Sequence, residues 1–299
     1  MRLKDIFLIV KTSFSEWWAH DPFRESAVIA YYAIFSLPGL LVVVMTLAGY
    51  FFGKDIVNKH VSDQINAMLG HDTALQIQNM IVVASETKSS IWAAIIGISS
   101  IVIGATGVFA QFQQSLNNIW GVKADDTKSG IWAVIRVRLF SFGLIISIAF
   151  LLIISLIVSA ILAALGNWIS NHFSDSFLVL LQVVNFILSF SIIAILFALM
   201  FKFFPDARVQ WNHVWVGSLA TAFLFEIGKF GLGFYFGKAN PGLGYGTAGS
   251  VILIMLWVTY TSMLVLFGAE FTHAYAMRKT GAVLPTGIAK PGINDPSPS

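Results

Sequence analysis

Glu226 and Lys229 stand three residues apart in a run, 214–236, that carries no other Asp, Glu, Lys or Arg. On a helix, residues at that spacing share a face and their side chains can pair. If the run crosses a membrane, Glu226 is the thirteenth of its 23 residues, close to the midplane. An ionised group at that depth costs about 2.5–3.5 kcal/mol, whereas a Leu or Phe gains only about 0.3–0.6. Two roles fit a charge kept against that cost. The pair is structural glue facing the bundle interior, or Glu226 faces a hydrated path and binds a cation or proton with Lys229 tuning it. The glycines that follow (Gly231, Gly233, Gly237, Gly242, Gly244, Gly246 and Gly249) permit close helix packing and a break between runs. Broken helices near a site are a transporter device. This break lies toward the end of its run, where it also reads as a plain loop.

Other polar positions carry weaker signals. Tyr31 and Tyr32 precede Pro38 inside the run 27–53. Proline in a helix removes one backbone hydrogen bond, predicts a kink, and leaves a carbonyl that the tyrosines or Ser36 could satisfy. The kink serves packing or shapes a transport path. Gly104-Ala105-Thr106-Gly107 allows close helix approach, and the amides Gln111, Gln113, Gln114, Asn117 and Asn118 after it either hydrate at an interface or line a vestibule. Glu270 is expected to pair with Arg136 or Arg138. The histidines (His20, His60, His71, His172, His213 and His273) are scattered, and His273 has no second histidine at ligand spacing. With no cysteine, thiolate metal sites and disulfides are excluded. No metal site, cofactor or catalytic residue is legible, and the chain reads as a non-enzyme.

The elements that must position these residues follow from composition. Hydrophobic residues make up 57% of the chain and charged residues 11%, against roughly 25% charged in soluble domains. So few charges cannot cover a surface in water, and lipid must be the solvent. A membrane-crossing helix needs about 20 apolar residues. Six runs qualify: 27–53, 91–112, 139–165, 177–201, 214–236 and 247–269. Five contain no charged residue, and their continuous length excludes barrel strands of about 10 alternating residues. The fold class is all-α: a polytopic bundle of six transmembrane helices in a single membrane domain, 1–277.

Cations set the orientation. Thirteen Lys and Arg fall on the side of the N-terminus, the 2–3 and 4–5 connections and the C-terminus, and four on the other. This bias predicts both termini in the cytoplasm. Leu3, Ile6, Phe7, Val10, Phe14, Trp17 and Trp18 repeat at helical spacing, so residues 1–20 read as an amphipathic helix. It lies in the membrane interface or packs on the protein itself. Residues 54–90 read as a small helical cap outside, and the Gly-, Pro- and Ser-rich stretch 278–299 as a disordered cytoplasmic tail.

Several stretches taken in order carry a family likeness: Ala30-Tyr31-Tyr32-Ala33-Ile34-Phe35-Ser36-Leu37-Pro38, Gln114-Ser115-Leu116-Asn117-Asn118-Ile119-Trp120, Lys202-Phe203-Phe204-Pro205-Asp206, Trp215-Val216-Gly217-Ser218, Tyr245-Gly246-Thr247-Ala248-Gly249, Leu256-Trp257 and Leu266-Phe267-Gly268-Ala269-Glu270. The chain resembles the YihY/BrkB family of bacterial inner-membrane proteins, long labelled "ribonuclease BN-like". The resemblance implies six transmembrane helices in the inner (plasma) membrane and supplies no biochemical activity. The nuclease label finds no support in the residues. No metal-binding cluster or dense basic patch is legible along the chain, and the one acidic doublet, Asp125-Asp126, reads as a solvated loop. Two readings remain. One is a transporter or permeation protein for a small solute or ion, using Glu226 and Lys229. The other is a non-transporting envelope scaffold or lipid-handling protein. Membrane lipids are the expected partners, a homo-oligomer is permitted, and nucleic acid is not expected.

Overall fold

A computed structural model describes residues 3–52, 91–124, 175–239, 243–280 and 289–291, with the single positions 62, 75 and 241. The described chain is helical apart from two three-residue strands. Helix α1 is Leu3–Ala19, α2 Pro22–Phe52 and α3 Ile91–Ile119, followed by strand β1, Val122–Ala124. Then come α4, Asp175–Phe203, and α5, Trp211–Ala239. A 3₁₀ turn, Leu243–Ala248, leads into α6, Gly249–Thr280, and β2 is Ala289–Pro291.

Five of the six apolar runs are thus helices of 29 to 32 residues. The run 139–165 lies outside the described residues, as do the cap expected at 54–90, apart from its isolated positions 62 and 75, and Arg136 and Arg138. Among the described residues, Phe186–Phe203, Trp211–Ala239 and Gly249–Thr280 are long and apolar enough to cross a membrane by length and composition. On α5, Trp215, Leu219, Phe223, Ile227, Phe230 and Phe234 are all exposed, at steps of three and four residues. In water such a stripe would be a severe penalty; lipid is its natural solvent.

Local chemistry sets the element ends. Asp21, with φ of 52°, turns the chain between α1 and α2, and its carbonyl accepts from the Glu25 N–H. Pro22 opens α2, where its missing N–H costs nothing. Helix α3 stops at Gly121, whose φ of 61° suits a residue without Cβ, and the Gly121 N–H closes back onto Asn118.

Helix α6 is central, packing against α1, α2, α3 and α5, while α2 pairs with α3 and α4 with α5. Small residues fix the α5–α6 seam. A Cβ at Gly217 would fall on Thr272, and one at Gly268 would fall on Thr221. Each threonine hydroxyl donates to the carbonyl four residues back, Thr221 to Gly217 and Thr272 to Gly268, both at 2.7 Å. The seam is reciprocal, glycine opposite threonine twice, and it makes the two helices antiparallel. The α2–α3 seam is built likewise, with Gly107 under the Tyr32 ring and Gly104 against Ser36.

The buried core gathers at one end of the bundle. It joins Leu116 and Ile119 of α3, and Trp120 just after it, to Phe197 and Phe201 of α4, Val214 of α5, and Val265, Leu266 and Ala269 of α6. Two expectations for the C-terminal stretch change. Helix α6 continues to Thr280, so residues 278–280 are helical. Ala289–Pro291 pairs antiparallel with Val122–Ala124, with Lys290 opposite Lys123. A free edge of three backbone groups outweighs the poor strand propensity of this segment.

Candidate functional site

Glu226 is one of the buried residues of α5, with Ser218 and Ala222 in the two turns before it, and only 6% of it is exposed. Lys229 Nζ reaches Glu226 Oε2 at 2.6 Å, and the lysine side chain remains 28% exposed. Its ammonium also lies 5.6 Å from the centre of the Phe230 ring. Gly228, between the two charges, leaves the space occupied by the Tyr260 hydroxyl of α6. The acid is buried while its partner keeps one side open. An ion pair so placed can hold the seam, or exchange its cation for a proton or solute that reaches the open side.

The residues singled out on α2 belong to a different seam. Tyr31 is exposed and stacks edge-on against Tyr32 and Phe35, whereas Tyr32 lies on α3. Helix α2 runs through Pro38 without a break. Ser36 Oγ donates to the Ala33 carbonyl at 3.1 Å, one residue short of the carbonyl the proline frees. The amides of α3 are structural ties. Gln111 Nε2 and Ser115 Oγ donate to Glu25 Oε2 at 2.6 and 2.7 Å. Asn117 donates to Asp206 Oδ2 and accepts from the Asp206 N–H, both at 2.8 Å. Gln114 and Asn118 are exposed. Glu25 was not singled out in the sequence, and Asp206 only as the end of a family-like stretch, because each lies beside a connection where a carboxylate needs no explanation.

A third cluster joins α1 to α6. Within the described residues, Glu270 Oε1 pairs with His20 Nδ1 at 2.6 Å; Arg136 and Arg138, its expected partners, lie outside them. His273 Nδ1 is 3.7 Å from Glu16 Oε2, and its ring meets Trp120 edge-on. The hydrogen bond to Glu270 raises the His20 imidazole above its ordinary value, against the opposing effect of burial. The polar contact with His273 lowers the Glu16 carboxyl, again against burial. One atom each of Glu16, Glu270 and His273 lies within 4.8 Å of the others, a spacing that could hold a metal ion. Linear spacing gave His273 no such company; the fold brings Glu16 to it from the other end of the chain.

The α1 face that makes these contacts carries Ile9, Ser13, Glu16 and Trp17. Ile9 and Ser13 are buried, and Trp17 Nε1 donates to the Met263 carbonyl at 3.0 Å. Ile6, Phe7, Val10, Phe14 and Trp18 stay exposed. Helix α1 thus packs on the protein by one face and leaves an apolar one free.

A family model described as "Virulence factor BrkB" matches residues 13–289. The chain belongs to the BrkB family. This BrkB chain is 28% identical over 266 residues to a "UPF0761 membrane protein" of Saccharophagus degradans, covering 85% of this chain and 56% of the relative. It is 26% identical over 270 residues to one of Teredinibacter turnerae, covering 85% and 58%. It is 28% identical over 250 residues to one of Pseudoalteromonas atlantica, covering 82% and 78%. The BrkB chain therefore spans under three fifths of the length of the first two relatives. No solved structure matches it. Family and apolar helices together make it a membrane protein.

Proposed function

We propose that this BrkB chain is a six-span inner-membrane protein that passes a small solute or ion across the bilayer through a path containing Glu226 and Lys229. The observation that carries the reading is a carboxylate buried mid-helix on an apolar α5, paired to a lysine that is partly open. Retaining two charges at that depth is costly, and a polar path gives them a use.

The six-span count has support from parity. The Asn117–Asp206 bonds bring the C-terminal ends of α3 and α4 to one end of the bundle. Helix α4 starts from the other end, which a further crossing between α3 and α4 would account for. The uncharged run 139–165 has the length for it. The excess of lysine and arginine on the N-terminal side supports a cytoplasmic location for both termini.

The test is flux from proteoliposomes loaded with a pH-sensitive dye, with potassium and proton gradients applied in turn. The wild-type chain should dissipate at least one gradient, and Glu226→Gln should slow it by about tenfold or more. Equal flux in the variant removes Glu226 from the path. A second reading, lipid handling or scaffolding without transport, draws on the exposed apolar face of α1. Absence of flux together with copurification of a fixed lipid or protein partner would favour it.

A further inference from the structure

We propose that Glu16, Glu270 and His273 form a binding site for one divalent metal ion of the zinc type, which fastens α1 to α6. The site is separate from the Glu226–Lys229 pair and does not depend on transport. Glu270 is the anchor, with a side chain 1% exposed. Its Oε1 is held by His20, but its buried Oε2 has no hydrogen-bond partner among the described residues. Glu16 Oε2 and His273 Nδ1 are buried atoms without a partner as well. These three orphaned atoms belong to the residues whose ligand atoms converge within 4.8 Å.

The described hydrogen bonds leave these three atoms unsatisfied. Buried polar atoms are nearly always hydrogen-bonded. Two carboxylates facing each other oppose each other's ionisation. The 3.7 Å between His273 Nδ1 and Glu16 Oε2 is too long for a hydrogen bond. It is close to the separation of two ligands on one ion, since bonds of about 2.0–2.1 Å in a tetrahedron put ligand atoms roughly 3.4 Å apart. A dication would satisfy all three atoms and cancel both negative charges.

The donor set selects the ion. Two carboxylates and one imidazole are the three-protein-ligand pattern of an open zinc site, whereas magnesium and calcium prefer oxygen alone. The Glu16 side chain is 41% exposed, which gives the ion an entry route and a side for a bound water. His20 is a positioning residue. By holding Oε1 of Glu270 it aims Oε2, as carboxylate partners do around many metal sites.

The experiment uses the full chain in detergent, purified without a polyhistidine tag, stripped with a chelator and titrated with zinc against a chromophoric competitor. One zinc per chain is expected, and cobalt in its place should give the visible absorption of a four-coordinate nitrogen–oxygen site. Glu16→Gln and His273→Gln should each weaken zinc binding at least about tenfold. His20→Ala should weaken it about 10–100-fold and shift the cobalt spectrum while leaving the stoichiometry at one. His213→Gln should change nothing. Glu16 is half-exposed on α1, so its variant reports even if substitution at the buried Glu270 prevents folding. Maleimide labelling of a Ser13→Cys variant, on the buried face of α1, should slow on zinc addition and lose that response when Glu16→Gln is added. No uptake of zinc or cobalt at micromolar concentration would overturn the site. So would binding that Glu16→Gln and His273→Gln leave intact, and the two carboxylates would then be sharing a proton.

Discussion

At the scale of single residues, the Glu226–Lys229 pair sets two costs against each other. Both charges lose hydration, and the 2.6 Å contact returns part of that loss. Removing one partner returns nothing and leaves the other charge stranded, which costs about 3–5 kcal/mol for a buried pair. Lys229→Ala should fall toward the low end of that range, because removing the partly open lysine lets water reach Glu226. Glu226→Gln combined with Lys229→Met should recover most of the loss, since no net charge then remains in the apolar helix. Thermal unfolding of the detergent-solubilised single and double variants checks this. A double variant no more stable than Lys229→Ala would mean that the pair is not the relevant interaction. The residue scale is also where the sequence was least complete. Two charges three positions apart in one run announce their own pairing. Nothing along the chain links Glu16 or His20 to Glu270 and His273, because His20 and Glu270 are 250 residues apart.

At the scale of elements, the α5–α6 seam shows small residues as a packing code. Glycine is a poor helix former, and Ala at an open position would gain about 0.8–1.0 kcal/mol. At Gly268 that gain is overruled, since the new Cβ would fall on the Thr221 side chain. Overpacking typically costs about 1–3 kcal/mol, so Gly268→Ala should be destabilising on balance. Adding Thr221→Ala removes the hydroxyl and methyl that clash and should restore part of the loss. The double-mutant cycle should therefore show a coupling of about 0.5–3 kcal/mol, measured by unfolding in detergent. Additive effects would mean that the two helices are not in this register. Five long apolar helices were legible from run length alone, because lipid leaves a spanning chain few alternatives to helix. The reciprocity of the seam was not, since glycine marks where a helix can be approached and does not name the neighbour. Helix α1 was legible as amphipathic, yet its apolar stripe drew attention away from the face that docks. Ser13 and Glu16 look like a solvated side until α6 covers them. The stretch from 278 read as disordered by composition, and both the end of α6 and the pairing of Ala289–Pro291 depend on neighbours that composition does not register.

At the scale of the whole molecule, the two ends of the described chain meet. Arg278 donates to Asp5 Oδ1 at 2.7 Å, so the start of α1 and the end of α6 share one face of the bundle. A chain that starts and finishes on one side of a membrane crosses it an even number of times. Helix α2 carries it away from that face, and α6 returns it antiparallel to α5. Five long helices lie between, an odd number, so the six-span topology proposed above needs one more crossing, for which 139–165 has the length. That same face holds the buried core, Lys202 and the last-turn cations Arg278 and Lys279, which is the pattern of a cytoplasmic side. The chain has no cysteine, so single-cysteine variants report without background. Lys11→Cys and Lys279→Cys should both resist an impermeant maleimide added to intact cells, and both should label in inverted vesicles. Tyr50→Cys, highly exposed near the far end of α2, should behave the opposite way. Labelling of Lys11→Cys and Lys279→Cys from opposite sides would break the parity, and the six-span topology with it. The cytoplasmic assignment fails separately if both label from outside, since the two ends would still share a face and only the direction of the cation bias would be wrong.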